Sequence, residues 1–372
     1  MSKFNHIKVC HLSSLHARYD TRIFIKMCSS LSSFGYDVTL VIADGLGDEV
    51  KNGVSIVDVG VKTGGRISRI TKTVKRVYEK AKELDANIYH LHDPELIPVG
   101  LKLKKLGKKI IFDSHEDIPN DILIKGYLKF NLKYLVSYFF RLFQCITYPK
   151  FDALVAATPS IRDNLLKFNP NTVDVNNFPL LNELSIANDW SKKEREVAYV
   201  GGIAKIRGIL EITSAMEYTR DVRLNLVGNF SEKAIEQKIK RHQSWKKVNE
   251  LGFLTRKLVN VVLAKSQAGL VTLHPIVTYK AALPVKMFEY MVAGIPVIAS
   301  NFPILRNIVE GNKCGICVDP LNPKVIGETI QFLIDNPTKA QQMGQNGRKA
   351  IEQKYNWLIE EQKLLKLYKS FS

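Results

Sequence analysis

No stretch of this chain stays apolar long enough to cross a bilayer. The best candidate, Tyr134–Tyr148, is broken by Arg141 and falls short of the roughly 20 residues that a spanning helix needs. Cysteine is scarce too. There are five in 372 residues, and only Cys314 and Cys317 form a CxxC, with no second Cys/His pair at zinc-site spacing. Neither a disulfide framework nor a structural zinc site is indicated, and the thiols read as core or turn residues. The opening MSKFNHIKVCHLSS has no apolar run after its basic residues, so a cytoplasmic chain is expected. Low-complexity tracts are missing, and 45% hydrophobic residues is too many for a disordered chain.

Acid is also in short supply, with 36 acidic residues against 54 basic ones and a net charge of +18. The deficit is local. Residues 1–61 carry 6 of each sign, whereas residues 62–150 carry 18 basic against 9 acidic. A local excess of this kind suits a polyanion: nucleic acid, acidic lipid headgroups or a phosphorylated substrate. A solvated, lysine-rich surface is the alternative.

At roughly 100–200 residues per domain, the length leaves room for two or three domains. Strands and helices alternate through the first half. They run His6–Leu12, a helical pattern over Tyr19–Phe34 stopped by Gly35, Asp37–Ala43, Val54–Val59, an amphipathic helix over Ile67–Leu84, Ile88–His92, Pro98–Leu106, Lys109–Asp113 and Ala153–Ala157. Such alternation predicts a parallel sheet covered on both faces. Residues 169–195 form a polar break with Pro170 and Pro179, after which the alternation restarts at Val197–Val200 and continues to Gly315–Val318. The expected class is α/β with two doubly wound parallel-sheet domains. Residues 1–178 form the first, 179–194 a linker and 195–355 the second, and a C-terminal helix over 356–372 returns to the first. Ligands bind beyond the carboxyl ends of such strands, so two facing sheets imply a central cleft.

Two segments carry candidate chemistry. In YVGGIAKIRG a strand ends on Gly201 and Gly202, Lys205 and Arg207 follow, and a helix begins near Ile209. Paired glycines allow close backbone approach, a helix start offers free N–H groups, and two cations neutralise a diphosphate. In YKAALPVKMFEYMVAGIPVIAS a turn of small residues enters a helix that holds Glu289 and stops at Gly294. A carboxylate on the inner side of that helix suits both hydroxyls of a ribose; a solvated surface position is the alternative. Asp20 and Arg22 begin the first long helix, where Arg22 suits a phosphate, or Asp20 is a cap and Arg22 is solvated. His90, His92 and Asp93 end a strand, with structural and ligand-facing roles both open. His16, His242 and His274 show no metal-site spacing.

The segments PVKMFEYMVAGIPVIASNFP, CGICVDP and YVGGIAKIRG, with FDSHEDIP, AATPSI and HLSSLHARYDTRIF upstream, resemble glycosyltransferase family 4 over nearly the whole chain. The opening is similar to that of a bacterial surface-polysaccharide assembly branch. The resemblance implies GT-B architecture, two Rossmann-like domains facing a central cleft, and retaining transfer without a metal. It places the family's ribose-binding glutamate on Glu289 and leaves Ala281 where the partner glutamate of the pair would stand. The diphosphate falls beside Gly202 and Arg207, with Lys205 making up a missing cation, and beside the amides of Ala282, Leu283 and Val285. The base falls near Phe253 and Leu254. His115 is the histidine expected to contact the transferred sugar, with Asp20, Arg22 and His92 on the acceptor or phosphate side. No cofactor is implied beyond a nucleotide-diphosphate sugar donor, UDP preferred and GDP open. The acceptor implied is a polyprenyl-diphosphate-linked saccharide of O-antigen, capsule or exopolysaccharide.

Lys125, Lys129 and Lys133 are interspersed with aromatic residues from Tyr127 to Phe143, and Arg69, Lys72 and Arg76 line one helix face. Lysines at anionic headgroups and rings at the interface predict a peripheral protein at the inner face of the cell membrane. A buried helix over residues 132–147 is the alternative. No nucleic-acid motif accompanies the charge, so no nucleic-acid partner is expected. The function expected is transfer of a hexose or N-acetylhexosamine. A GT-B UDP-sugar epimerase or hydrolase, and a non-catalytic sugar-nucleotide-binding scaffold at the membrane, are the rivals.

Overall fold

A computed structural model describes residues 7–62, 64–65, 68–124, 130–181 and 189–371, the side chains of Phe130 and Asn131 excepted. The chain divides into two units, residues 1–177 with 358–372, and residues 178–357.

The first unit is built on eight strands: β1 (Lys8–Leu12), β2 (Asp37–Ile42), β3 (Glu49–Lys51), β4 (Val54–Asp58), β5 (Ile88–Leu91), β6 (Lys109–Ser114), β7 (Ala153–Ala156) and β8 (Thr172–Asp174). Their order is β3-β4-β2-β1-β5-β6-β7-β8, parallel except where β3 pairs antiparallel with β4. That hairpin turns on Asn52-Gly53, both at positive φ (52° and 73°), as tight two-residue turns require. β5 and β7 are buried along their whole length, which is why they read as unbroken apolar runs. β8 lies inside the stretch expected to be a polar break. Charge anchors it rather than apolar packing: Asp174 meets Arg162 at 2.7 Å and Lys363 at 3.0 Å. Lys363 comes from the helix Trp357–Lys369, which also buries Tyr368 and Leu364 in this unit.

The second unit carries β9 (Glu196–Val200), β10 (Arg223–Val227), β11 (Val248–Gly252), β12 (Ala268–Val271), β13 (Val297–Ser300) and β14 (Gly315–Val318). All are parallel, in the order β11-β10-β9-β12-β13-β14. In chain order this is the 3-2-1-4-5-6 sequence of a dinucleotide-binding sheet. A core that includes Met287, Phe288, Tyr290 and Met291 covers one face, and a second that includes Ile209, Ile212, Ile326 and Ile330 covers the other.

Strand order reverses between β1 and β5 in the first sheet and between β9 and β12 in the second. The loops leaving the carboxyl ends of these strands diverge there and open a crevice. The candidate residues gather at these two points.

Candidate active site

In the second unit, β9 ends at Val200 and is followed by Gly201, whose φ of +124° only glycine adopts readily. Gly202 follows, and the short turn Lys205–Arg207 brings the Arg207 guanidinium back over it. Arg207 Nη1 donates to the Gly202 carbonyl at 3.2 Å and would lie 2.9 Å from a Cβ at that position. Lys205 is exposed on the same turn. Across β9, the helix Val285–Val292 presents Lys286 and Glu289. The Lys286 stem is partly exposed, but its ammonium is buried, stands 3.6 Å from the Tyr199 ring centroid and has no hydrogen-bond partner among the described residues. Burial, reinforced by Arg207, pulls it down to about 7.

Glu289 is 14% exposed and accepts from Arg256 Nη1 at 2.7 Å. Arg256 opens the helix that follows Phe253 and Leu254, so the expected base and ribose residues belong to one neighbourhood. Phe253 is 77% exposed, which is unusual for a ring with nothing to cover it. Of the three amides expected near the diphosphate, that of Ala282 is spent on the Tyr279 carbonyl at 3.2 Å. Those of Leu283 and Val285 have no acceptor among the described residues, in keeping with their place at a helix start.

In the first unit the corresponding point is filled by its own side chains. Asp20 caps the helical turn Thr21–Cys28, accepting from the amides of Arg22 and Ile23 at 2.8 and 2.9 Å. Arg22, expected to be on the phosphate side or solvated, is instead buried. Its Nε and Nη2 donate to Asp113 at 2.9 and 2.7 Å, and Nη1 to the Val175 carbonyl at 2.6 Å, so each of its three nitrogens already has a partner within this unit. His92, also expected to face a ligand, is buried as well, with Nδ1 3.2 Å from Asp113 Oδ2. From His92 a chain of hydrogen bonds passes to His11 (2.8 Å), to the Tyr368 hydroxyl (3.2 Å) and to His90 (2.8 Å). Burial holds His11 and His90 well below the ordinary histidine value and lowers His92, so all three are neutral. Burial would raise Asp113; Arg22 and His115 outweigh it and hold the carboxyl well below its usual range. His115 is 23% exposed with Nε2 3.0 Å from Asp113 Oδ2, the one member of the set that reaches toward solvent from this carboxylate. Asp93 fixes the loop after β1, accepting from the Ser14 amide at 2.6 Å and the Ser13 hydroxyl at 2.9 Å, with His16 at 3.1 Å. Ligand atoms of His11, His90 and His92, and of His92, Asp113 and His115, lie within 4.8 Å of one another, close enough to share an ion.

The helix Phe130–Thr147 is turned opposite to the buried alternative. Tyr134, Leu135, Tyr138, Phe139, Leu142 and Ile146 are 41–61% exposed, whereas Ser137, Gln144 and Thr147 are buried. Beside it lies a cavity of about 300 Å³ lined by Ser114, Asp117, Asn120, Arg141 and Gln144 among others. Of the basic residues expected at a membrane, Arg69 pairs with Glu95 at 2.7 Å, and Arg76 donates to the Val61 carbonyl. Lys133 donates to the Leu123 carbonyl, and Lys72 is exposed. Lys125 and Lys129 lie outside the described residues. No helix among the described residues is long and apolar enough to cross a membrane.

The signals for Lys286, Asp113, His11 and Tyr368 are faint in sequence. Lys286 is a lone cation in an apolar helical run, three residues before Glu289. The others become a group only through sheet topology.

Two nucleotide-binding-type sheets with polar residues gathered at each reversal of strand order define a GT-B protein. Residues 182–350 match the glycosyl transferases group 1, and residues 21–176 match glycosyltransferase family 4. The two matches together span most of the chain and support a family 4 glycosyltransferase of GT-B architecture. A capsular polysaccharide biosynthesis glycosyltransferase, CapM of Staphylococcus aureus, is 25% identical over 186 residues, 47% of this chain and 46% of its own. The chain spans about half the length of the curated relatives it matches. Among solved structures, sucrose-phosphate synthase from Thermosynechococcus elongatus has a TM-score of 0.80 at 16% identity, covering 98% of each chain. Anabaena HepE in complex with UDP-glucose has a TM-score of 0.75 at 15% identity, covering 98% of this chain and 100% of that one. At these identities the likeness shows the fold.

Proposed function

We propose that the protein transfers a hexose or N-acetylhexosamine from a nucleotide-diphosphate sugar to a lipid-linked saccharide acceptor, with retention of configuration. The observation that carries this reading is the Gly201–Gly202 turn under Arg207, with Glu289 on the adjoining helix. Glu289 accepts the ribose hydroxyls, Phe253 and Leu254 flank the base, and the glycine turn takes the diphosphate. Arg207 and the amides of Leu283 and Val285 donate to it, with Lys205 at its exposed edge. Cleavage of the sugar–phosphate bond leaves negative charge on the diphosphate, which these donors stabilise. The acceptor's hydroxyl proton passes to the leaving phosphate oxygen as the new bond forms on the same face of the sugar. His115 contacts that sugar. Side chains and amides supply the positive charge, so no metal is needed in this scheme.

UDP is preferred over GDP, a choice supported by the UDP-glucose held by HepE. The capsular relative supports a surface polysaccharide as product. For the acceptor, the outward apolar face of the helix Phe130–Thr147 suits a lipid surface, and the polar cavity beside it suits a saccharide.

The test is a thermal-shift panel of UDP, GDP, ADP, CMP and dTDP without added metal, then turnover of the matching sugar nucleotides with NMR of the product anomer. A ligand at 100 times its dissociation constant adds about 2.7 kcal/mol of stability. Silence across the panel from folded protein would remove the donor reading. For the membrane, sedimentation with anionic vesicles should be lost on changing Tyr138 and Phe139 together to Glu; unchanged sedimentation would detach that helix from the lipid.

A further inference from the structure

Lys286 has a feature that its helix does not explain. Its ammonium is buried without a hydrogen-bond partner among the described residues, and a Cβ at Gly201 would lie 3.7 Å from Nζ and 3.9 Å from Arg207 Nη1. Two cations thus converge on one glycine. Four groups face the ammonium or its neighbour. Arg207 on the adjoining turn repels it. The Tyr199 phenol from β9 lies beneath it and is held neutral by burial. Tyr279 interacts with Arg207. Glu289, three residues along the same helix, attracts it but is paired with Arg256 at 2.7 Å. No carboxylate among the described residues stands within ion-pair distance of Lys286. A buried cation left in this state is costly, and a site that sets a second, half-buried cation beside it is complementary to an anion. The missing Cβ atoms at Gly201 and Gly202 leave room for one.

We propose that Lys286 is a diphosphate-binding residue, its ammonium and the Arg207 guanidinium gripping the phosphates of a nucleoside diphosphate over the Gly201–Gly202 turn. The nucleotide part rests on the donor reading above; the anion part rests on the geometry of the turn. With its value held near 7, the free protein carries Lys286 partly as the amine at neutral pH. An anion between the two cations favours the ammonium, so binding takes up a proton. The sign follows: affinity is highest below about pH 7 and falls as pH rises, about tenfold per unit at the limit, until the value in the complex is reached. The nucleotide's own last phosphate proton leaves near pH 6, below this window.

Isothermal titration of the full chain tests this. UDP is used from pH 7 to 9 in buffers of different ionisation enthalpy, and inorganic pyrophosphate at pH 7.5, on the wild type, Lys286→Met and Lys286→Arg. The wild type should take up a proton with UDP and bind more weakly as pH rises. Lys286→Met should lose tenfold or more at pH 7, together with the pH dependence. Lys286→Arg, permanently charged, should bind with a flat profile. The unliganded Tm of Lys286→Met should hold or rise, whereas a lysine that merely packs would lower it. If Lys286→Met does not fold, the wild-type proton uptake and the Lys286→Arg profile decide. UDP and pyrophosphate bound equally by wild type and Lys286→Met would overturn the role of Lys286 and leave the donor reading standing. Lys286-dependent binding of pyrophosphate with no binding of any nucleotide in the panel would support the anion site and remove the donor reading. A folded wild type that binds neither would overturn both.

Discussion

At the reversal point of the first sheet, Arg22, His16 and His115 each stand within 3.1 Å of a carboxylate; at that of the second, Arg207 and Lys286 flank a glycine turn with no carboxylate of the described residues between them. Both points are reversals of strand order in a parallel sheet, yet the electrostatics are opposite. Asp113 and Asp93 neutralise the first from within, and three neutral histidines extend it inward to Tyr368. Such a network leaves little for a ligand to complete, and its use is to hold His115 and the loop after β1 in place. The second is left positive, and an external anion completes it. Both halves come from one plan, one set for positioning and the other for binding.

The sharpest way to break this contrast is to remove a charge from each. Asp113→Asn leaves the Arg22 guanidinium buried beside a neutral amide, a change that costs about 3–5 kcal/mol when a buried pair is broken. Thermal unfolding should show a large fall in Tm, against none for Lys286→Met. Equal effects on the two would mean that the first network is no better compensated than the second.

Acid should separate the units next. The unfolded chain protonates His11, His90 and His92 near pH 6.5, while the folded first unit keeps them neutral, so its stability is full above that pH and is lost as pH falls below it. Each such histidine contributes about 1.4 kcal/mol per pH unit until its folded value is reached. Asp113 acts in the same direction lower down: its stabilisation is present above the ordinary carboxylate value near 4 and disappears as pH falls toward its depressed one. Trp190, Trp245 and Trp357 all lie in the second unit, so tryptophan fluorescence follows that unit and hydrogen exchange in β1 and β5 follows the first. Urea midpoints between pH 7 and 5 should fall more for the first than for the second.

Glu289→Ala probes the open side. Removing a charged hydrogen-bond acceptor is worth about 1.5–3 kcal/mol, or roughly 10–100-fold in affinity. UDP and uridine should both weaken by this amount in titration calorimetry, and sugar transfer should be abolished. Undiminished transfer would move the ribose elsewhere.

How far these features were legible depends on how far apart their parts lie in the chain. Both sheets could be read from alternating runs such as DVTLVIA and from the turn YVGGIAKIRG, because strand, glycine and cation are neighbours there. Arg207 and Glu289 emerged for the same reason. Lys286 is printed inside PVKMFEY, but its burial depends on the Tyr199 ring and its repulsion on Arg207, both from another strand–turn unit. The first network was beyond reach: Tyr368 meets His90 and His11 across 278 and 357 residues of sequence. Arg22 could be seen as a helix-start cation, but its partner Asp113 is 91 residues away. In the helix Phe130–Thr147 apolarity runs nearly all round, so composition could not say which face is wet. Packing resolved it by burying Ser137, Gln144 and Thr147.

The smallest expected effect bears on where the positive site ends. Lys205 is exposed, and exposed charges typically contribute about 0.2–1 kcal/mol, so Lys205→Ala should weaken UDP by no more than about fivefold. Arg207 lies over Gly202 and is half-buried, so Arg207→Ala should weaken UDP far more than Lys205→Ala while leaving uridine nearly unchanged. Titration of the two variants with both ligands reads the difference directly. A Lys205 effect as large as that of Arg207 would place the diphosphate on the outer side of the turn, where Lys286 does not reach. The contrast between the two units would then be one of exposure rather than of compensation.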